Sequence, residues 1–366
     1  MPPANRMLIQ VVSQLKPARC GVSDQAILLA QELESSFNIG TAFVVLNSTE
    51  PCDLPFPRVY CPPSRLLEAC TSLIKSHPGA ILVHCSGYGY SPDGAPFMLA
   101  EALERVRATG QFRIGAYFHE LYATGMPWRS AFWYTRRQKD AVCRIAKECD
   151  VIATSLTHFS DWLERRSMQG KVIPLQKMAL FSNVGESLEI PPMSARQPVM
   201  AVFGLPSTRK ASYRRLSQLG SMLNALGVEE ILDIGPEFDA PLSLNGIPVR
   251  SRGVLSATDA ASLLARSMFG FVPHPPFCLA KSSILACFCA FGTIPVLAES
   301  FERELDGLTD GLQLISPKTA KAALAAGLER SSAAAWDWYS GHRLHVHAET
   351  YSRLLLPQPA TRACSH

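Results

Sequence analysis

The stretch MFGFVPHPPFCLAKSSILACFCAFGTIPVL, residues 268–297, decides the fold. Its first five residues, 268–272, are apolar and predict a buried strand. The prolines within 273–276 disfavour helix and central strand directly afterwards, so a loop is expected there. A helical pattern then begins at residue 281, and a second apolar strand is predicted over 294–297.

The helix in this stretch is indicated by the spacing of its apolar residues. Ile284, Leu285 and Phe288 fall on one helical face, and Gly292 ends the pattern. A strand, a loop, a helix and a second strand in this order form the repeat of a parallel sheet. The chain is therefore predicted to be an α/β protein.

The loop over 273–283 is the candidate ligand site of this unit. In open parallel sheets, ligands bind outside the carboxyl ends of the strands. The first amides of the following helix, at Lys281, Ser282 and Ser283, are donors with partial positive charge, and they suit a phosphate. An ordinary crossover connection without a ligand is the alternative interpretation.

The same alternation of strands and helices occurs on both sides of residues 185–198, GESLEIPPMSARQP, which form the predicted linker. We expect an N-terminal Rossmann-like domain over 1–190 and a C-terminal Rossmann-like domain over 191–340. A helix or tail over 341–366 follows, and its packing against the N-terminal domain is one option. Two such series would face each other across a cleft.

Several segments carry local signals. Ser23 is expected to cap a helix over 24–36, and Ser256 a helix over 256–266. The aromatic and proline-containing residues 124–134, TGMPWRSAFWY, predict a substrate-facing loop or a hydrophobic docking segment. Residues 204–210, GLPSTRK, predict a loop that ends in two cations.

Composition narrows the class of protein. The 366 residues are 47% hydrophobic and 18% charged, with no apolar run near the roughly 20 residues that span a bilayer. The apolar run at residues 7–12 is too short for the core of a signal peptide. The eleven cysteines are expected to be free thiols in a reducing compartment. A cytoplasmic location is therefore expected.

Charge gives a weaker signal. A net charge of +4 gives no argument for nucleic acid as a partner. Basic residues nevertheless cluster in one region: Arg129, Arg136, Arg137, Lys139, Arg144, Lys147, Arg165 and Arg166. They indicate either a solvated helix face or a surface for anionic lipid or an anionic acceptor, with peripheral contact at the inner membrane face.

Further candidate site residues follow predicted strands. His119 and Glu120 come directly after a strand over 113–118, where side chains reach the ligand edge. Gly21 precedes the first helix and would let a ligand approach the backbone. A histidine bonded to a local carbonyl is the alternative for His119.

With these residues in view, the chain resembles the retaining glycosyltransferases of the GT-B fold, in particular the family 4 group and related bacterial cell-surface polysaccharide enzymes. The resemblance rests on KPARCGVSDQAILLAQEL at 16–33, FHELYATGMPWRSAFWYTRRQ at 118–138 and the donor-binding stretch at 270–297. It covers nearly the whole chain in architecture and only short motifs in residues. Ala290, Gly292, Pro295 and Val296 are similar to the ending of that stretch, with one residue more between glycine and proline.

The resemblance implies transfer of a sugar from a nucleotide-diphosphate donor to a polysaccharide or lipid-linked acceptor. Arg209 and Lys210, together with Lys281, Ser282 and Ser283, would stabilise the departing diphosphate. The first helix beside Gly21 would approach the same phosphates. His119 would orient the sugar or an acceptor hydroxyl, with Glu120 as a second candidate. No metal or other cofactor is expected.

The sequence departs from the family where two glutamates normally bind the donor. Counting back from Gly292, those positions are Leu279 and Cys287. A nucleotide-sugar epimerase or hydrolase and a non-catalytic scaffold of the same fold therefore stay open. A metal trio of His342, His345 and His347 is disfavoured, because two residues apart on a helix diverge.

Overall fold

A computed structural model describes residues 6–15, 21–48, 53–74, 79–123, 130–167 and 173–356. The chain forms two compact units. Unit 1 contains Met1–Met178 and Leu344–His366, and unit 2 contains Ala179–Arg343. The division therefore comes before the predicted linker at 185–198, which lies inside unit 2.

Unit 1 is built on a seven-stranded parallel sheet. Its strands are β1 (Met7–Val12), β2 (Gly40–Val45), β3 (Arg58–Tyr60), β4 (Gly79–Cys85), β5 (Phe112–Phe118), β6 (Val151–Thr154) and β7 (Leu175–Lys177). They lie in the order β3-β2-β1-β4-β5-β6-β7. Every residue of β4 is buried, as expected for a central strand covered on both faces.

Helices cover this sheet. They are α1 (Gly21–Phe37), α2 (Leu66–Ile74), the short α3 (Gly87–Tyr90), α4 (Phe97–Ala108), α5 (Ser130–Glu148), α6 (Thr157–Ser167) and, from the end of the chain, the helix Leu344–Leu355. That last helix packs against α1 and β5. Apolar side chains of β1, α1 and β2, including Val12, Ile27 and Phe43, form one of the clusters of the core.

Unit 2 repeats the plan with six strands. They are β8 (Gln197–Phe203), β9 (Glu230–Ile234), β10 (Ser243–Leu244), β11 (Ile247–Gly253), β12 (Ser267–Val272) and β13 (Ile294–Leu297). Their order is β10-β11-β9-β8-β12-β13, and β10 is antiparallel to β11 while the other pairs are parallel.

The helices of unit 2 are α7 (Pro206–Leu216), α8 (Gly220–Ala225), α9 (Ala257–Arg266), α10 (Ser283–Ala290), α11 (Ala320–Ala326) and α12 (Leu328–Ser340). The helix Leu344–Leu355 is therefore α13. The deciding stretch forms β12, loop, α10 and β13 as predicted. Gly270 of β12 lets α10 approach closely, because a Cβ there would lie 2.5 Å from the Phe288 ring.

Local predictions had mixed outcomes. Ser256 caps α9 by accepting a hydrogen bond from the amide of Asp259, which confirms its prediction. The prediction that Ser23 caps this helix was wrong, because α1 begins at Gly21 and already contains Ser23. The Ser23 hydroxyl donates to the carbonyl of Gln14.

Two predicted loops are partly helical. For 124–134, the prediction of a loop was wrong at 130–134, which belong to α5. The alternative of a hydrophobic docking segment stays a prediction, and 124–129 lie outside the described residues. In 204–210, Pro206 occupies the first turn of α7, so Arg209 and Lys210 are helical rather than in a loop.

Candidate functional site

Strand order fixes where each sheet can bind a ligand. In unit 2 the chain runs from β8 to β9 and β11 on one side, and then returns to β12 on the other side of β8. The carboxyl ends of β8 and β12 therefore flank the point where the strand order reverses, which is where open α/β sheets form their binding crevice. Unit 1 has the same reversal between β1 and β4.

In unit 2 the loop after β12 leads into the N-terminus of α10. Ser282 is the N-cap residue, and its hydroxyl oxygen accepts the amide of Leu285 at 3.2 Å. The same oxygen lies 2.9 Å from Nδ1 of His274, which is the second residue after β12. Ser282 is buried, whereas Lys281 and Ser283 are half-buried at the edge of the loop. Lys281 ends a 3₁₀ helix over Pro276–Lys281, and the amide of Ser282 donates to the carbonyl of Leu279 at 2.9 Å. The prediction that the Ser282 amide is an unpaired donor was therefore wrong, and the first amides of α10 itself are those of Ser283 and Ile284.

Positive charge gathers at this end of unit 2. Burial, followed by the charges of Lys281 and Arg215, lowers the pKa of His274, so this imidazole is neutral at pH 7. Arg215 also pairs with Glu299, which follows β13, at 2.6 Å. A neutral histidine, a lysine and helix amides form a set of donors that suits an anionic group.

Arg209 does not join this group, because its side chain is turned into the unit. It is 1% exposed and forms an ion pair with Asp233 of β9, which is equally buried. Its Nε donates to the carbonyl of Gly204 at 3.0 Å, and its Nη2 donates to the carbonyl of Pro236. These contacts indicate that Arg209 holds the carboxyl ends of β8 and β9 together. Its assignment to a diphosphate stays a prediction that this geometry does not favour.

Lys210, the next residue of α7, points the other way. Its side chain is exposed, at the start of the helix that follows β8. Because a lysine stem is long and flexible, this position is compatible with the predicted contact to a phosphate, which stays a prediction.

In unit 1, Gly21 is the first residue of α1, at the carboxyl side of β1. A Cβ added at Gly21 would have no neighbour within 4 Å among the described atoms, so packing does not require glycine here. Residues 16–20, which connect it to β1, lie outside the described part of the chain. Its close approach to a ligand stays a prediction.

His119 lies at the carboxyl end of β5, where the sequence predicted it, and it is buried. Its Nε2 is 3.4 Å from Nδ1 of His84, a β4 residue, and its ring is 4.6 Å from that of Tyr117. The amide of His119 donates to the carbonyl of Cys85, which ties the segment after β5 to β4. Glu120 follows and is exposed.

The hydrogen bonds of Gln10 determine which ring nitrogens of His84 and His119 carry a hydrogen. Its Nε2 donates to the carbonyl of Ala26 at 2.9 Å, so its Oε1 is the atom that accepts from Nε2 of His84 at 2.7 Å. His84 then carries no hydrogen on Nδ1, because burial lowers its pKa from 6.5 to about 3. The hydrogen between the rings therefore belongs to Nε2 of His119.

The two positions where the family resemblance expects donor glutamates lie in the core of unit 2. Leu279 is 1% exposed and Cys287 is fully buried. The Cys287 thiol donates to Oδ1 of Asn183 at 3.0 Å, and it lies 3.5 Å from the hydroxyl of Ser182. An unpaired carboxylate at either position would be costly, which accounts for the apolar residue and the thiol found there.

Sequence reasoning missed four residues near these sheet edges: Gln10, His84, Arg215 and His274. His274 carried a signal similar to that of His119, because it is the second residue after a predicted strand. The other three could not be found from one sequence, because their roles depend on strand pairing and on contacts between distant segments.

Among the described residues, no three His, Cys, Asp or Glu side chains lie close enough together to hold a metal ion. Two of the three histidines named in the sequence have other contacts. His345 pairs with Glu32 at 2.7 Å, and the ring of His347 lies 6.2 Å from that of Tyr117.

Comparison with known proteins gives a fold and no sequence family. No protein-family model matches the chain, and no curated protein sequence matches it. Solved structures do match. An alpha-glucosyltransferase in complex with UDP has a TM-score of 0.58 at 12% identity, with coverage of 95% of this chain and 99% of that chain.

A second similar structure is the UDP-forming alpha,alpha-trehalose-phosphate synthase from Burkholderia xenovorans in complex with glucose-6-phosphate. Its TM-score is 0.60 at 12% identity, over 95% of this chain and 99% of that chain. A third, the alpha-glucosyltransferase with UDP-glucose and DNA containing an abasic site, has a TM-score of 0.59 at 12% identity and the same coverage. The chain has the GT-B fold, which confirms the predicted fold class.

Proposed function

We propose that the protein is a glycosyltransferase that moves a hexosyl group from a nucleoside-diphosphate sugar to a saccharide or lipid-linked saccharide, with retention of configuration. A family 4-like role in polysaccharide synthesis is part of this proposal. One observation carries it: the capped N-terminus of α10 lies beside Lys281 where the strand order of unit 2 reverses. The similar structures include complexes with UDP and with UDP-glucose, which supports a donor of this class.

The reaction requires groups that stabilise the negative charge of the departing diphosphate. The bond from the sugar C1 to the diphosphate oxygen breaks, a bond from the acceptor oxygen to C1 forms, and the proton of the acceptor hydroxyl passes to the departing diphosphate oxygen. Charge grows on the departing diphosphate, next to Lys281 and the first amides of α10 at Ser283 and Ile284. Removing one such preorganised donor typically costs about 10²–10³ in rate. We expect these groups, rather than a divalent ion, to neutralise the leaving group.

Unit 1 would supply the contact to a hydroxyl. His119, at the carboxyl end of β5, is the candidate that orients a sugar or acceptor hydroxyl. Glu120, exposed next to it, is the second candidate for orienting that hydroxyl.

The decisive experiment measures donor binding by titration calorimetry with UDP, GDP, ADP and the corresponding UMP, GMP and AMP. We expect one nucleoside diphosphate to bind much more tightly than its monophosphate. Lys281→Ala should weaken that binding about tenfold or more, since hydrogen bonds to charged groups contribute about 1.5–3 kcal/mol. Lys321→Ala, an exposed lysine on α11, is the matched control and should leave the affinity unchanged.

Product analysis then separates the alternatives. Incubation with the matching nucleotide sugar and an acceptor extract should give a glycosylated product and free nucleoside diphosphate. Free sugar or an epimerised nucleotide sugar alone would contradict transfer.

A non-catalytic binding protein is the second candidate, favoured by the buried Leu279 and Cys287 at the positions of the expected glutamates. Diphosphate binding without turnover would support it. Failure of every diphosphate to bind would overturn the site at α10 altogether.

A further inference from the structure

Three polar side chains lie buried next to one another in the unit 1 sheet, where apolar residues are expected. Gln10 of β1 is 0% exposed, His84 of β4 is 4% exposed and His119, directly after β5, is 8% exposed. The strand β4 is paired with both β1 and β5, so the three residues cross the centre of the sheet. A buried polar group is informative, because its burial is costly unless it is hydrogen-bonded.

The three side chains form one chain of hydrogen bonds in which every donor points towards α1. His119 Nε2 lies 3.4 Å from His84 Nδ1, His84 Nε2 lies 2.7 Å from Gln10 Oε1, and Gln10 Nε2 donates to the carbonyl of Ala26 at 2.9 Å. Burial lowers the pKa of His84 to about 3, so its Nδ1 stays an acceptor at neutral pH. The order of donors and acceptors is therefore fixed from Ala26 to His119.

Other contacts hold His119 in the same place. Its amide donates to the carbonyl of Cys85 at 2.9 Å, and its ring centre is 4.6 Å from that of Tyr117. The Tyr117 hydroxyl in turn donates to the carbonyl of Met178 at 2.8 Å. His119 is thus held by its backbone, by a neighbouring ring and by the hydrogen bond to His84.

Filling space in the core does not account for Gln10 and His84. Apolar residues of similar shape would fill the same volume at little or no cost in stability. All other residues of β1 are apolar, and so are those of β4 apart from one cysteine. The two central strands therefore depart from their apolar pattern where the chain of hydrogen bonds leads to His119, and such departures are expected at functional sites.

We propose that Gln10 and His84 are positioning residues of the transfer reaction, which act through His119 and do not touch the substrate. They keep the hydrogen of His119 on Nε2 and hold its ring in one orientation at the carboxyl end of β5. A histidine that orients a hydroxyl requires this, because its two tautomers exchange donor and acceptor between the ring nitrogens. This role rests on the function proposed for His119, whereas the order of the hydrogen bonds does not.

Two substitutions of His84 separate the hydrogen bond from the packing. In His84→Asn the side-chain oxygen can occupy the place of Nδ1 and accept from His119. In His84→Leu the space is filled without an acceptor. Gln10→Leu removes the group that orients His84. His345→Leu, at an exposed position of α13, is the matched control.

The first measurement is a long-range proton–nitrogen NMR spectrum of the full-length protein with isotope-labelled histidines, which shows the ring nitrogens that carry a hydrogen. His119→Gln assigns the signals of His119. We expect the hydrogen on Nε2 alone in wild type, His84→Asn and His345→Leu, and both tautomers in His84→Leu and Gln10→Leu. A hydrogen on Nδ1 in wild type, or a single unchanged tautomer in His84→Leu, would overturn the proposal.

The second measurement is steady-state kinetics with the nucleotide sugar and acceptor that product analysis identifies. His84→Leu should lower kcat about tenfold to a hundredfold, as expected when a positioning group is displaced, while the donor KM stays within about twofold of wild type. His84→Asn should recover most of kcat, and His345→Leu should not change it. In a His119→Ala background His84→Leu should cause no further loss, because it acts through that ring.

Each kinetic result decides the role of His84. An unchanged kcat in His84→Leu would overturn it, and so would an equal loss in the wild-type and His119→Ala backgrounds, which indicates a general effect on packing. A higher donor KM without a loss of kcat would contradict it as well. If no nucleotide sugar is turned over, the proposed function fails, and the NMR spectra still decide whether Gln10 and His84 hold His119.

Discussion

Removing the charge of Asp233 tests the role assigned to Arg209 most directly. The two side chains form an ion pair in which each is 1% exposed, so Asp233→Asn leaves a buried guanidinium without its counter-charge. Breaking a buried pair from one side typically costs about 3–5 kcal/mol, because the remaining charge is not solvated. Two backbone carbonyls still accept from Arg209, so we expect a value at the lower end.

The second partner of Asp233 adds to the effect. The hydroxyl of Tyr213 donates to Oδ1 of Asp233 at 2.8 Å, and burial together with this carboxylate raises the pKa of Tyr213. An amide in place of the carboxylate weakens this hydrogen bond as well. The double variant Arg209→Met with Asp233→Asn removes the stranded charge and should recover much of the loss.

Hydrogen exchange by mass spectrometry on the full chain is the suitable assay, because a chain with two units need not unfold in one step. Amides of β8 and β9 should exchange about 10²-fold faster in Asp233→Asn and return towards wild type in the double variant. Exchange within about tenfold of wild type in the single variant would refute the reasoning. If Arg209→Met instead abolished UDP binding without changing exchange, Arg209 would face a ligand after all.

Two further predictions concern the histidine pair and the helix cap. Because burial lowers the pKa of His84 from 6.5 to about 3, only the unfolded chain takes up this proton between those pH values, and stability falls as the pH falls. The free energy of unfolding, measured with urea, should fall by up to about 1.4 kcal/mol more in wild type than in His84→Gln for each pH unit below 6.5. If the free energies of both proteins changed equally with pH, His84 would be in contact with water. Ser282→Ala removes the oxygen that accepts the amide of Leu285 and should destabilise α10 by about 1 kcal/mol, measured by hydrogen exchange of the α10 amides. Ser282→Asn keeps a capping oxygen. If it destabilised α10 as much as Ser282→Ala does, the result would argue against capping.

The fold class was predictable because the stretch from β12 to β13 contains complete signals within a short distance. The apolar strands, the prolines of the loop and the helix that ends at Gly292 can each be recognised from a few neighbouring residues. Ser256 shows the same: its cap needs only the residue three positions ahead. The alternation of such units along the chain was enough to predict two Rossmann-like domains.

Elements were misassigned where competing signals overlapped. The aromatic segment before residue 135, which contains one proline, favoured a loop, although α5 already begins at Ser130. Pro206 suggested a loop, while proline is also favoured in the first turn of a helix. The three-residue strand β7 is too short to show any periodicity.

The candidate site was only partly predictable. His119 could be found because its position after a strand is a local property. Arg209 carried the charge expected of a phosphate ligand, but Asp233 lies 24 residues further along the chain, and only strand pairing brings the two together. The orientation of His119 likewise depends on Gln10 and His84, which belong to strands that are adjacent only in the folded sheet.

The position of α13 has a consequence for the order of folding during synthesis. This helix is the last described element of the chain, yet it belongs to unit 1, where Leu355 packs so closely on β5 that a Cβ on Gly115 would lie 2.9 Å from it. Unit 2 is therefore fully translated before the final piece of unit 1 leaves the ribosome. The nascent first half therefore lacks the helix that covers Gly115 of β5 and part of α1, and a truncation that removes α13 would expose this surface and favour aggregation.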